Sequence, residues 1–218
     1  MWNIYEPLDT VFFRRSLPRN VLLYRARVWA NAVKVAYRRI ELKKIQRRTA
    51  LSCVCAYRTI STETVCILAR TPPIDLLVEE RAKKEVRSKN GVLRVEKEAR
   101  NALIEKWKDR ISCTEKGDWT RMLICDLERW LSRSHGQMSF HLTQVLSGHG
   151  YFNEYLHRRR IKVGPECSHC AHRRNDGPQN TFFECEVWQC QRDKLVRSLG
   201  KISGSDYTEV CCSMGPGV

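Results

Sequence analysis

The sequence predicts a mostly α-helical protein with a small cysteine module near its C-terminal end. Apolar residues recur at intervals of three to four along much of the 218-residue chain, as in amphipathic helices. No long alternation of apolar and polar residues, which would indicate strands, occurs anywhere. The stretch CSHCAHRRNDGPQNTFFEC, residues 167–185, spaces its cysteines as metal ligands are spaced.

The first helical signal runs from about residue 27 to residue 57. Its apolar positions recur at close to helical spacing and predict the buried face: Val28, Ala32, Val35, Ile40, Leu42, Ile45 and Leu51. Basic residues occupy much of the remaining surface: Lys34, Arg38, Arg39, Lys43, Lys44, Arg47 and Arg48.

A second helix is predicted within residues 71–89. Thr71 is a candidate N-cap, and two prolines follow at positions that tolerate a missing N–H. Asn90-Gly91 predicts a break. The next amphipathic run carries an apolar stripe at Val95, Ala99, Leu103, Trp107 and Ile111.

Further helices are predicted in the second half of the chain. Asp118 is a candidate cap for a helix over 119–133, whose apolar face is Trp119, Met122, Leu123, Leu127 and Trp130. Gly148 and Gly150 predict a junction between two short helices, because paired glycines are poorly tolerated inside one. The glycine-containing tail is predicted to be disordered.

The composition indicates an intracellular protein with a polyanionic partner. There are 39 basic and 24 acidic residues, a formal net charge of +15, which favours RNA or DNA. No cleavable signal and no apolar stretch of roughly 20 residues is present, so neither secretion nor a membrane partner is expected. The 11 cysteines, without a secretion signal, indicate a reducing compartment, the nucleus or the cytoplasm.

Four segments in a fixed order resemble a known family. They are LLYRARVWANAV (22–33), IQRRTALSCVCAYRTISTETVCILARTPPIDLLVEER (45–81), DWTRMLICDLERWLSRSHGQMSFHLTQVLSGHGYFNEYL (118–156) and CSHC…NTFFECEVW (167–188). Together they are similar to the C-terminal third of the reverse transcriptase polyprotein of arthropod non-LTR retrotransposons, especially the clade that inserts into ribosomal RNA genes. The resemblance extends from about Val21 to about Leu199.

The resemblance implies a domain order for this chain. After an unassigned segment (1–20), it implies a basic helical thumb-like region (21–117), a helical connector (118–160), a CCHC-type zinc-knuckle-like module (161–190), and a short helix with a tail (191–218). The intact parent would be an RNA-directed DNA polymerase with an endonuclease. A truncated or degenerate copy is one interpretation.

No catalytic residue is expected in this portion. The family holds its catalytic ions with two adjacent aspartates, and no adjacent aspartates occur in this sequence. Magnesium is therefore expected only in the intact parent polymerase, and no small-molecule substrate is expected here.

The resemblance implies a zinc site with one altered ligand. The family's Cys-x2-Cys…His-x4-Cys pattern places cysteines at Cys167, Cys170 and Cys185 but an asparagine, Asn180, at the histidine position. An amide oxygen is a poor ligand for zinc. Cys190 is the favoured substitute and His172 the alternative. Zinc binding is expected to be weakened or absent.

Two groups of basic residues are the predicted nucleic-acid contacts: Arg158, Arg159, Arg160, Lys162, Arg173 and Arg174 around the cysteine module, and Lys43, Lys44, Arg47 and Arg48 on the first long helix. Two alternatives to a retrotransposon polymerase fragment stay open. One is a free-standing zinc-dependent nucleic-acid-binding protein, and the other is a non-functional product of a decayed element.

Overall fold

The computed structural model describes residues 23–24, 26–87, 92–133, 138–170 and 173–199. Within these ranges the chain is mostly helical, as predicted, and contains no strand. The residues divide into two compact units. The first comprises the chain up to Ala56 together with Ser61–Lys116, and the second comprises Tyr57–Ile60 together with the chain from Gly117 onward.

The first unit is built around a short buried helix. Every residue from Thr64 to Leu68 in this helix is buried, and the Ser61 hydroxyl caps it by accepting the N–H of Thr64. The α-helices of the unit are α1 (Ala26–Trp29), α2 (Ala36–Cys53), α3 (Thr62–Leu68), α4 (Ile74–Arg87) and α5 (Val92–Ser112), and a 3₁₀ segment (Ala30–Lys34) joins α1 to α2.

The predicted buried face of the first helical signal is wrong in large part. The backbone of Val35 is extended (φ −76°, ψ 119°) and separates the 3₁₀ segment from α2. The buried positions of α2 are Gln46, Ala50 and Cys53, spaced i, i+4, i+7. Four of the predicted core residues are exposed instead: Val28, Val35, Ile40 and Ile45. α2 contacts α3 and α4 through a face that the apolar pattern did not indicate.

A buried glutamine from α2 caps the start of α4. The Gln46 amide oxygen accepts the N–H of Ile74 at 2.8 Å, and its Nε2 donates to the Pro72 carbonyl at 2.7 Å. Thr71, the predicted cap, instead donates its hydroxyl to the carbonyl of Ala69. The helix N-terminus is thus satisfied by a residue 28 positions earlier in the sequence.

α4 packs chiefly against α5. The carboxylate of Asp75 accepts two hydrogen bonds from Arg110, each 3.0 Å long, and Lys43 lies 3.5 Å from the same carboxylate. Burial acts to raise the pKa of Asp75, but Arg110 and Lys43 outweigh it and lower the pKa. Leu103 and Trp107 of the predicted α5 stripe are buried. Asn90-Gly91, the predicted break, lies outside the described residues.

The second unit contains five further α-helices among the described residues. The helix predicted over 119–133 is divided in two, and Asp126 rather than Asp118 acts as a side-chain cap, accepting the N–H of Arg129 at 3.0 Å. The helices are α6 (Asp118–Leu123), α7 (Leu127–Ser132), α8 (Phe140–Ser147), α9 (Asn153–Arg158) and α10 (Gln189–Leu199).

The glycine junction between α8 and α9 is confirmed. Gly148 ends α8 with a left-handed backbone (φ +67°), which glycine adopts without strain. A Cβ at this position would lie 3.3 Å from the Trp119 side chain. Trp119 donates its indole N–H to the Val145 carbonyl at 2.7 Å, which joins α6 to α8.

No disulfide joins the nine cysteines of the described ranges. None of the helices described is long and apolar enough to cross a bilayer. The tail from residue 200 onward, predicted to be disordered, lies outside the described residues.

Candidate metal centre and basic surfaces

A tight hairpin carries the first two cysteines of the candidate centre. Glu166 and Asn175 form an isolated antiparallel bridge, and the N–H of Cys167 donates to the Arg174 carbonyl at 2.7 Å. The N–H of Asp176 closes the hairpin by donating to the Pro165 carbonyl at 2.8 Å. The chain folds back on itself here, so Cys167 and Cys170 both lie within the hairpin.

A π-helical turn, Asn180–Glu184, presents the third cysteine. Its closing hydrogen bond runs from the N–H of Cys185 to the carbonyl of Asn180, 2.7 Å long and spanning five residues. Residues five apart thereby come to the same side of the turn. The four-residue interval between Asn180 and Cys185 therefore matches one turn of this π-helical segment.

The structure brings Cys167, Cys170 and Cys185 together. Their three sulfur atoms all lie within 4.8 Å of one another, so the group could hold a metal ion. Cys167 and Cys185 are 5% and 1% exposed, whereas Cys170 is half-buried. Thiolates bind a zinc ion at about 2.3 Å, which requires sulfur atoms roughly 4 Å apart. The observed separations are compatible with that requirement, and the donor set fits a thiophilic ion.

The Asn180 side chain lies beside the three sulfurs. The Cys170 thiol donates to its Oδ1 at 3.5 Å, and the residue is only 4% exposed. Its Nδ2 is buried without a hydrogen-bond partner among the described residues. The position that the family pattern assigns to histidine is therefore at the centre, but it carries a weak oxygen donor in place of imidazole.

Of the two predicted substitute ligands, Cys190 is described by the structure and lies outside the group. Cys190 is exposed on the first turn of α10, and its sulfur is not among those within 4.8 Å of one another. The helix that carries Cys190 starts only after a 3₁₀ turn, Glu186–Trp188, that follows Cys185. His172 lies outside the described residues.

The surroundings shift the pKa values of the two hairpin thiols in opposite directions. Burial acts to raise the pKa of Cys167, but the N–H of His169 and hydrogen bonds from Cys170 lower it overall. Burial, together with hydrogen bonding to Cys185, raises the pKa of Cys170 to about 11. Cys167 is therefore the thiol of the two that ionises more readily.

Three residues that the sequence analysis did not identify hold the centre in place. Asp176 accepts the Asn153 N–H at 3.0 Å through Oδ2 and the Thr181 hydroxyl at 3.1 Å through Oδ1. Asn153 also donates its Nδ2 to the Glu166 carbonyl. Arg192 of α10 donates to the Cys185 carbonyl at 2.7 Å. Apart from Asp176 lying between the second and third cysteines, no sequence signal indicated these contacts, because they join residues 5–23 positions apart.

The basic residues near the centre differ in their contacts. Arg159, Arg160 and Arg173 are exposed and form no ion pair among the described residues. The Arg158 guanidinium lies 5.8 Å from the centre of the Tyr155 ring. Two members of the predicted set have internal partners: Lys162 donates to the Asn153 side chain, and Arg174 pairs with Glu184.

The basic residues predicted on α2 as nucleic-acid contacts also differ in their partners. Lys43 pairs with Asp75, and Lys44 pairs with Glu41 at 2.7 Å. Arg47 donates to the Thr62 hydroxyl at 3.4 Å. Arg48 is exposed on the helix. The exposed Lys44–Glu41 pair contributes about 0–1 kcal/mol, so it leaves Lys44 able to exchange partners.

A half-buried histidine lies close to the basic end of α9. The His149 ring stacks on Tyr155 at 4.9 Å between centroids, and Thr59 hydrogen-bonds to both His149 Nδ1 (3.1 Å) and the Tyr155 hydroxyl (2.8 Å). Burial, with the nearby charges of Arg158 and Arg159, lowers the pKa of His149 from 6.5 to about 4. His149 is therefore neutral near pH 7.

We expect His149 to make the protein less stable below pH 6.5. Between about pH 6.5 and pH 4 the unfolded chain binds a proton at this residue that the folded chain does not, so stability falls as the pH falls. Solvent screening at the half-buried ring limits the loss to about 1–2 kcal/mol. Urea unfolding at pH 7 and pH 4.5 measures this loss in the free energy of unfolding.

His149→Asn should reduce the pH dependence of the free energy of unfolding. His141→Asn, at an exposed histidine, should leave that dependence unchanged. Equal pH dependence in the parent and both variants would contradict the assignment to His149.

The chain is similar to Pol polyproteins of type-1 retrotransposable elements. It is 29% identical over 171 residues, 71% of its length, to the "Retrovirus-related Pol polyprotein from type-1 retrotransposable element R1 4" of Nasonia vitripennis. It is 26% identical over 188 residues to the "R1 2" polyprotein of the same organism and 27% identical over 189 residues to the R1 polyprotein of Bradysia coprophila, each match covering 78% of this chain.

The aligned regions cover 43%, 45% and 18% of these relatives, so the chain spans less than half of their length. No family model matches the chain, and no solved structure matches it significantly. The family resemblance that the four sequence segments predict is nevertheless confirmed by relatives matched over most of the chain. By sequence, this chain is similar to part of the Pol polyproteins of R1 retrotransposable elements.

Proposed function

We propose that this chain is a nucleic-acid-binding portion of a non-LTR retrotransposon reverse transcriptase and contributes no catalytic group of its own. The observation that carries the proposal is the similarity to R1 Pol polyproteins over 71–78% of the chain. In such a polyprotein the chain would hold RNA, DNA or both beside the polymerase that copies them.

The charge of the chain supports this role. A formal net charge of +15 favours a polyanionic partner and draws it in over several ångströms at low ionic strength. The exposed arginines Arg158, Arg159 and Arg160 follow one another at the end of α9 and lead into the hairpin. Arginine is suited to phosphate because its planar guanidinium donates two parallel hydrogen bonds.

Zinc fits the proposal as a structural ion. Cys167, Cys170 and Cys185 would hold it as thiolates, and the ion would fix the hairpin against the π-helical turn. Arg173 in the hairpin would then be presented at a fixed position for contact with phosphate. The zinc is thus proposed to shape a binding surface and to take no part in chemistry.

Replacing Arg158, Arg159 and Arg160 by alanine should weaken binding to a fluorescein-labelled single-stranded oligonucleotide. If each arginine neutralises one phosphate, the slope of log K against log salt should fall in magnitude by about 2, since each contact to a single strand contributes roughly 0.7. Fluorescence anisotropy between 50 and 200 mM salt, roughly the range over which such contacts are resolved, measures both quantities.

A matched control removes three exposed charges elsewhere: Lys97, Lys194 and Arg197 to alanine. This variant should lose little affinity if the surface at the end of α9 is specific. Equal losses of affinity in the two variants would show that the overall charge, and not a defined surface, attracts the oligonucleotide. An affinity of the parent chain that does not depend on salt would overturn the proposal.

A further inference from the structure

Among the residues that the structure describes, the candidate centre has three protein sulfurs, whereas structural zinc sites have four protein ligands. The fourth position borders Asn180, whose amide is almost fully buried beside Cys170. Its Nδ2 has no hydrogen-bond partner among the described residues. A buried amide N–H without an acceptor costs about 1–3 kcal/mol, so an acceptor placed there would be favoured.

We propose that this centre is an open metal site, in which three thiolates hold the ion and an exchangeable ligand from outside the chain fills the fourth position beside Asn180. The ligand would be water, or a nitrogen or sulfur donor such as an imidazole or a thiol. The inference rests on the metal binding included in the proposed function and deepens it.

Metal binding changes what the Asn180 amide can do. As the ion binds, the three thiols release three protons and form three sulfur–metal bonds, with no change of oxidation state. The Cys170 sulfur then has no proton to donate, so its present hydrogen bond to Asn180 Oδ1 is lost. The amide is left with its N–H donors and its oxygen available to a water or other ligand at the fourth position.

Access to the fourth position comes from the Cys170 side. Cys167 and Cys185 are buried, whereas Cys170 is half-exposed. The amide oxygen of Asn180 is a hard donor and competes poorly with imidazole or thiolate for a borderline-soft ion. A small donor from solution can therefore reach the ion and displace a bound water.

Cobalt(II) tests the proposal, because its visible absorption reports both the number and the kind of ligands. The full chain is loaded with cobalt and titrated with imidazole. We expect the cobalt bands to shift along a saturating curve as imidazole replaces the solvent ligand. Asn180→His supplies an imidazole from the chain and should give bands that added imidazole does not change. Asn180→Asp, nearly identical in size to the parent residue, should close the site with a carboxylate and also suppress the shift.

Cobalt binding by the parent chain with bands that do not respond to imidazole would overturn the open site while leaving the proposed nucleic-acid binding intact. Cys190→Ser and His172→Ala then show why the parent bands do not respond to imidazole. If the cobalt bands respond to imidazole only in one of these variants, the changed residue is the fourth ligand in the parent chain, which also overturns the proposal. A response in the parent that both variants retain supports it.

Discussion

Changing Cys185 to serine is expected to remove tight zinc binding, whereas changing Cys190 to serine is expected to leave it unchanged. Cys185 is 1% exposed and is one of the three clustered sulfurs, while Cys190 is exposed and outside the cluster. A complete structural zinc site contributes about 10–16 kcal/mol of apparent binding energy. Loss of one of three thiolates should remove roughly a third of a contribution of that size, ~4 kcal/mol, or nearly 1000-fold in affinity.

The measurement is zinc content per chain after dialysis against a chelator of graded strength. Circular dichroism of the same samples shows whether the helices persist, which separates loss of a ligand from loss of the fold. Cys190→Ser serves as the matched control, because it makes the same chemical change five residues away. Loss of zinc in Cys190→Ser would show that α10 rearranges to bring its thiol to the metal.

Changing Gln46 to alanine is expected to destabilise the first unit by about 2–4 kcal/mol. The substitution leaves the N–H of Ile74 and the carbonyl of Pro72 buried without their present partners, and it removes part of a buried side chain. Each buried polar group that loses its partner costs about 1–3 kcal/mol. Urea unfolding followed by far-ultraviolet circular dichroism measures the change.

Thr71→Ala provides the comparison. The sequence predicts Thr71 as the cap of α4, but its hydroxyl donates to the Ala69 carbonyl. Removing this hydroxyl should therefore lower the free energy of unfolding by less than about 1 kcal/mol. If Thr71→Ala lowers the urea midpoint as much as Gln46→Ala, the start of α4 is capped locally and the tertiary contact is unimportant.

The exposed apolar positions of α2 show where apolar periodicity predicted the wrong buried face. Ile40 and Ile45 fit a helical stripe but are exposed, whereas the polar Gln46 is buried. A polar residue was not a candidate for the core because burying an amide is unfavourable unless both of its hydrogen-bonding groups find partners. Those partners, near Pro72, come from a segment about 26 residues away, and no local pattern contains that information.

Features that depend on neighbouring residues could be read from the sequence alone. The helical character, the glycine junction at Gly148 and the resemblance to R1 polyproteins follow from local propensities and from the order of short motifs. The nucleic-acid contacts and the zinc ion remain predictions, since charge and spacing indicate a partner without displaying it.

Only the tertiary structure decided which face of α2 is buried, what caps α4, and which groups surround the cysteines. The Cys-x2-Cys loop and the π-helical turn come together through the hairpin, the Asp176 contacts and Arg192. Sequence spacing favoured Cys190 as the fourth ligand, but the 3₁₀ turn and α10 leave its thiol exposed. The physical reason is that a ligand set depends on distances between atoms, and those distances are fixed by hydrogen bonds between segments far apart in the chain.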